Sequence, residues 1–86
     1  MSVLMIYQPQ SEHARNVTEF LHDFEHRTNK KIEEVDQGSR RGAELCELYD
    51  IVEYPTLIAL AQDGQLRHSW RGIPLPLIDE VDYYVE

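Results

Sequence analysis

A proline opens the most strand-like stretch of this chain, Tyr54-Pro55-Thr56-Leu57-Ile58-Ala59-Leu60, which follows Val52-Glu53. Proline has no amide to give to a central ladder, so it belongs at the first position of such a strand, where a cis bond is a recognised use. The run continues to Ala61, and Gln62-Asp63-Gly64 then separates it from a second strand-like segment, Gln65 to Arg71. Asp-Gly between two such segments is among the strongest short hairpin signals. Gly72 breaks the second strand, so a proline-headed hairpin constrains the fold before the rest of the chain is considered.

Upstream, Val3-Leu4-Met5-Ile6-Tyr7 forms a strand, and Gln8-Pro9-Gln10 is a loop. Ser11 stands where an N-cap is expected, with Glu12 in the first turn of a helix to complement its dipole. Val17, Phe20, Leu21 and Phe24 recur at helical spacing, predicting a helix to about Thr28 that Asn29 closes. Lys31 to Val35 reads as a short charged strand, a composition that suits a sheet edge. Asp36-Gln37-Gly38-Ser39 is a turn, with Ser39 capping a second helix whose apolar stripe is Leu45, Leu48, Tyr49 and Val52. Pro74 and Pro76 stand at the entrance of a last helix, where a missing amide is harmless. Its inner face is Leu77, Ile78, Val81, Tyr84 and Val85, and Asp79, Glu80 and Asp82 occupy its early turns.

The predicted order is β-α-β-α-β-β-α. A right-handed crossover between the first two strands and a hairpin for the last two permit a mixed four-stranded sheet with helices on both faces, an α/β fold. The 86 residues suffice for one small domain with little core to spare. Sixteen acidic against eight basic residues give a net charge of −8, which argues against nucleic acid and fits a basic, neutral or peptide partner better, a peptide or protein among them. Lys30-Lys31 and Arg40-Arg41 lack the interleaved aromatics of a nucleic-acid surface. The single cysteine excludes an internal disulfide, no signal peptide is apparent, and no apolar run approaches the roughly 20 residues of a membrane helix, so a cytoplasmic setting is expected.

The strand-loop-helix opening, followed later by the strand headed by Pro55 and its hairpin, resembles the thioredoxin superfamily over nearly all of the chain. That resemblance implies spatial strand order 2-1-3-4. Where dithiol members carry Cys-x-x-Cys at the start of the first helix, this chain reads Ser11-Glu12-His13-Ala14, so both redox positions lack sulfur. Pro55 has two readings that do not exclude one another: as structure, a cis bond that shapes the turn into the third strand; as function, what the resemblance implies, that the backbone of the residue before it, here Tyr54, pairs with an extended peptide or with glutathione.

Three roles are open to Ser11: a helix cap, a nucleophile, or a donor to a ligand thiol as in some glutathione transferases. A nucleophilic serine needs an adjacent base. His13, two residues on, would point about 200° away around a helix. Cys46 lies beside the stripe of the second helix and reads as an inert packed thiol. His22 and His26, with Glu19, could reach one metal but read as a solvated helix face. His68 reads as a sheet-surface residue and Trp70 as a packing residue. Glu12, Asp36 and Glu53 fall toward the edge that carries Pro55 and are either solvated loop residues or a lure for a basic peptide.

These residues lead to a redox-inactive thioredoxin-like binding module, a monomer or weak homodimer with no cofactor. Its docking edge is expected to comprise Ser11, Glu12, His13, Ala14, Tyr54, Pro55, Thr56, Gly72 and Ile73. The alternative is a glutathione-binding, thiol-handling enzyme in which Ser11 orients the ligand sulfur.

Overall fold

The computed structural model describes residues 2–85. Its elements are β1 (Ser2–Tyr7), α1 (Ala14–Thr28), β2 (Glu33–Asp36), α2 (Arg40–Leu48), β3 (Thr56–Leu60), β4 (Leu66–Arg71) and α3 (Ile78–Asp82). The four strands form one sheet in the order β2-β1-β3-β4. β1 runs parallel to β2 and antiparallel to β3, and β3 pairs antiparallel with β4.

Alternation along the two central strands decides which side chain enters which layer. Val3, Met5 and Tyr7 of β1, with Leu57 and Ala59 of β3, face one layer, where Val17 and Phe24 of α1 meet Val81 and Val85. Leu4, Ile6, Ile58 and Leu60 face the other, with Val35, Ile51 and the half-buried Leu45 and Tyr49. Both sides of β1 and β3 are therefore apolar, as a doubly covered sheet requires. Phe24 is fully buried, so its truncation to alanine is expected to cost about 3–5 kcal/mol.

Several helix limits follow the sequence signals. Asn29 ends α1 in the left-handed region (φ 60°), and its amide returns to Glu25 O at 2.9 Å. Ser39 caps α2, its hydroxyl accepting the Gly42 amide at 2.9 Å. Gly42 itself allows a close approach, because a Cβ there would lie 2.0 Å from Asp36 O. The hairpin turn closes through Gly64 N–H to Ala61 O and Ala61 N–H to Gln65 O, each at 2.9 Å.

Other expectations are corrected. Ser11 does not cap α1: the helix starts at Ala14, behind His13, and Glu12 lies in the preceding turn, not in the helix. The stripe assigned to α2 ends early, because α2 stops at Leu48 and Asp50 turns the chain through φ 56°. Leu48 and Val52 are consequently 70% and 79% exposed, and Ile51 takes the core position instead. Leu77 stands before α3, is mostly exposed, and contributes its amide to Glu80 Oε1 at 3.4 Å.

Candidate functional site

One end of the sheet gathers most of the residues singled out by sequence. Ile6, Thr56 and Arg71 share a row across β1, β3 and β4, so the chain leaves β1 into Gln8, enters β3 from Pro55 and leaves β4 into Gly72 at the same end. The Tyr54–Pro55 and Ile73–Pro74 bonds are both cis. Pro55 and Thr56 are buried, Tyr54 and Gly72 half-buried, and Ile73 exposed. Gly72 N–H donates to Pro55 O at 2.7 Å, extending the hairpin by one bond beyond β3. Thr56 Oγ1 donates to Glu53 O at 2.7 Å, which folds the preceding loop back over the strand. The Glu53 carboxylate reaches over Gly72, where a Cβ would stand 3.0 Å from Oε2.

Tyr54 points into the layer of α2, and its hydroxyl lies 3.5 Å from Cys46 Sγ. The hydrogen bond with Cys46, followed by burial, pushes the Tyr54 hydroxyl above its ordinary pKa. The aromatic ring thus packs inward, and the residue as a whole is half-buried. Among the described residues, neither the Tyr54 amide nor its carbonyl takes part in a backbone hydrogen bond.

The start of α1 is arranged differently from the sequence expectation. Ser11 Oγ donates to Gln8 O at 2.6 Å, and the Ser11 amide donates to the same carbonyl at 3.0 Å. His13 Nε2 accepts the Gln8 amide at 3.3 Å. The hydroxyl proton is therefore committed to a carbonyl and the imidazole lone pair to an amide, which leaves no base beside a nucleophile. Orienting a ligand thiol would require Ser11 first to release Gln8. Ala14 is the first residue of α1 and packs on the core.

Ser11 lines a polar crevice of about 330 Å³ with Gln8, Pro9, Gln10, Asp36 and Gln37, between the loops that leave the parallel strands β1 and β2. Crevices at the carboxyl ends of parallel strands, where successive helices pass to opposite faces, are the usual ligand positions of open α/β sheets. Tyr54, Pro55 and Gly72 do not line it, and Ile73 instead faces the side of α1 near Phe20. The sheet end thus carries two adjoining surfaces, a crevice beside Ser11 and a turn around Tyr54. Glu12, Asp36 and Glu53 are all exposed there.

Two contacts between the close of α2 and the hairpin have no local sequence signature, one at this end and one at the β3–β4 turn at the opposite end. Arg71 donates to the carbonyls of Asp50 and Tyr49, at 2.9 and 3.3 Å, and Tyr49 OH donates to Gly64 O at 2.5 Å. Both tie the close of α2 to the hairpin, through Arg71 at the end beside Tyr54 and through Gly64 at the turn. Elsewhere, His22 and His26 stack with ring centroids 6.1 Å apart, but among the described residues no group of three or more His, Cys, Asp or Glu could hold a metal ion. No helix among the described residues is long and apolar enough to cross a membrane.

No protein-family model matches this chain, and no curated protein does. Among solved structures it is similar to the crystal structure of a designed protein, with a TM-score of 0.65 and 22% identity over 96% of this chain and 70% of that one. At that identity the likeness concerns the fold alone.

Proposed function

We propose that the chain is a redox-inactive, thioredoxin-like binding module that docks an extended segment of a basic peptide or protein against the Glu53–Thr56 turn. The observation that carries this reading is that the backbone of the half-buried Tyr54 takes part in no backbone hydrogen bond among the described residues, while its ring packs inward against Cys46. A partner strand can satisfy such a backbone without any cysteine, since main-chain bonds supply affinity and side-chain pockets supply specificity. Exposed Glu12, Asp36 and Glu53 supply the sign of charge that favours lysine or arginine in that partner.

Sulfur chemistry finds no support at this end. Under the thioredoxin resemblance Ser11 and Ala14 stand where dithiol members carry their two thiols, and Cys46 belongs to α2, in the opposite layer from α1. The test is an NMR titration of the labelled chain with a lysine-bearing extended peptide, run beside an insulin-reduction assay. Shifts centred on Tyr54 and Gly72, weakened by the pair Glu12→Lys and Glu53→Lys, are expected, with no reductase activity. Insulin reduction abolished by Cys46→Ser, or the absence of any shift at Tyr54, would overturn the proposal.

A further inference from the structure

The far edge of the sheet has the opposite charge. Between Gly64 and Ile78 the sequence has no aspartate or glutamate, although the chain holds sixteen acidic residues, and it places Arg67, His68 and Arg71 on β4. β4 is the terminal strand of the sheet, and among the described residues its backbone makes no hydrogen bond beyond the ladder with β3. At the other edge, β2 presents Glu33, Glu34 and Asp36.

An unpaired edge normally invites pairing, and charge or a bulge on it discourages pairing with a second copy. Both devices are present: the register passes from Ala59↔His68 to Leu60↔Leu66, leaving Arg67 as the bulged residue. A cationic edge repels another cationic edge but attracts an anionic strand, so the feature that blocks β4–β4 association selects a partner of opposite sign. The net charge of −8 does not reverse this, because at physiological ionic strength fields fade within about 8 Å and the nearest side chains dominate.

One face of the same edge is aromatic. His68 lies over Trp70 with centroids 4.5 Å apart, Tyr84 packs on both at 5.5 and 5.4 Å, and Tyr83, 78% exposed, packs on Tyr84 at 5.0 Å. An added strand would place alternate side chains on this ledge and the intervening ones toward the arginines.

We propose that the free edge of β4, over Ser69–Arg71, receives an acidic extended peptide as an additional strand. This surface runs along the outer edge of β4, adjoins the Tyr54 turn at Gly72, and takes a ligand of opposite charge.

Trp70 is the only tryptophan, so its fluorescence reports binding directly. The full chain is titrated, in about 0.15 M salt, with a short peptide alternating glutamate with valine and tyrosine. The same peptide with lysine for glutamate, and one with alternate amides methylated, are the controls. The acidic peptide is expected to change Trp70 emission and to slow amide exchange at Ser69 or Arg71. Arg67→Glu, checked for an unchanged circular dichroism spectrum, is expected to weaken it by roughly tenfold, and Glu12→Lys, in the turn before α1, to leave it unchanged. The proposal is overturned if the acidic peptide does not bind. It is also overturned if the lysine or methylated peptide binds as well, if Arg67→Glu has no effect, or if Trp70 emission follows protein concentration alone, which would mark the edge as a contact between copies of this chain. Because Glu12→Lys should weaken only basic-peptide binding at the Tyr54 turn and Arg67→Glu only acidic-peptide binding at β4, failure at one surface is distinguishable from failure at the other.

Discussion

Arg71 at the end of β4 donates through Nη1 to the carbonyl of Asp50 at 2.9 Å. Asp50 is the left-handed residue that reverses the chain after α2, so the guanidinium occupies the carbonyl end of a helix, where a cation is electrostatically favoured. A second bond to Tyr49 O at 3.3 Å uses the fork that arginine has and lysine lacks. Arg71 is exposed, which limits the gain. Arg71→Ala is expected to destabilise the fold by about 1 kcal/mol, and Arg71→Lys to recover less than half, as read from the urea midpoint at constant slope.

These contacts show what periodicity conveys and what it does not. Val17 and Phe24 were legible because they lie on one helical stripe, and Ser39 and Asn29 because caps act on their own neighbourhood. Ser11 misled for a related reason: a hydroxyl can cap the helix or bond the preceding carbonyl, and Gln8 O took it. Val52 continued the stripe of α2, but Asp50 turned the chain and delivered Ile51 to the core. The meeting of Arg71 with Asp50, and of Cys46 with Tyr54, depends on how β4 and the loop before β3 fall across α2. Only the assembled layers bring those side chains together. The strand order came from the resemblance and agrees with the observed sheet, whereas spacing alone left it open.

Gly42 offers a test in which two effects oppose each other. On helix propensity alone, alanine is favoured over glycine by about 1 kcal/mol. The added methyl would lie 2.0 Å from Asp36 O and 2.8 Å from Gln37 Cα, both backbone atoms that cannot step aside as a side-chain tip can. Contact should win, and Gly42→Ala is expected to lower stability by about 2–3 kcal/mol, with a matching fall in the thermal midpoint. An unchanged midpoint would mean that α2 and the β2–α2 turn are not packed this closely.

Lys30 fastens the last helix to the rest of the molecule. Its Nζ donates to Asp82 Oδ1 at 2.9 Å and to Val85 O at 3.2 Å, and both charged side chains are 38% exposed. α3 has only five residues, too few to be stable by itself, so its order depends on Val81 and Val85 in the core and on this clasp. Lys30→Ala is expected to cost about 1 kcal/mol. The loss should be local: amide exchange should quicken in 81–85 and stay unchanged in β1 and β3.

Tyr7 ends β1 with its ring in the core and its hydroxyl donating to Glu34 Oε1 at 2.9 Å. Burial, then the hydrogen bond to Glu34 and the nearby carboxylates Glu34 and Asp36, raise its pKa above the ordinary 10.0. In the unfolded chain the phenol loses its proton near the ordinary value, while in the folded chain it keeps it to higher pH. The folded state therefore binds more protons in that interval, and stability must fall as pH rises. The contribution is fully present below about pH 10 and is lost as pH climbs through the raised value. Tyr7→Phe keeps the buried ring and removes the titrating group, at a cost of about 1 kcal/mol near neutrality for the lost hydrogen bond. Denaturant unfolding between about pH 8 and pH 11 should show wild type losing stability more steeply than Tyr7→Phe above pH 10, the two curves converging with rising pH. Parallel curves would place the Tyr7 hydroxyl in water and not on Glu34.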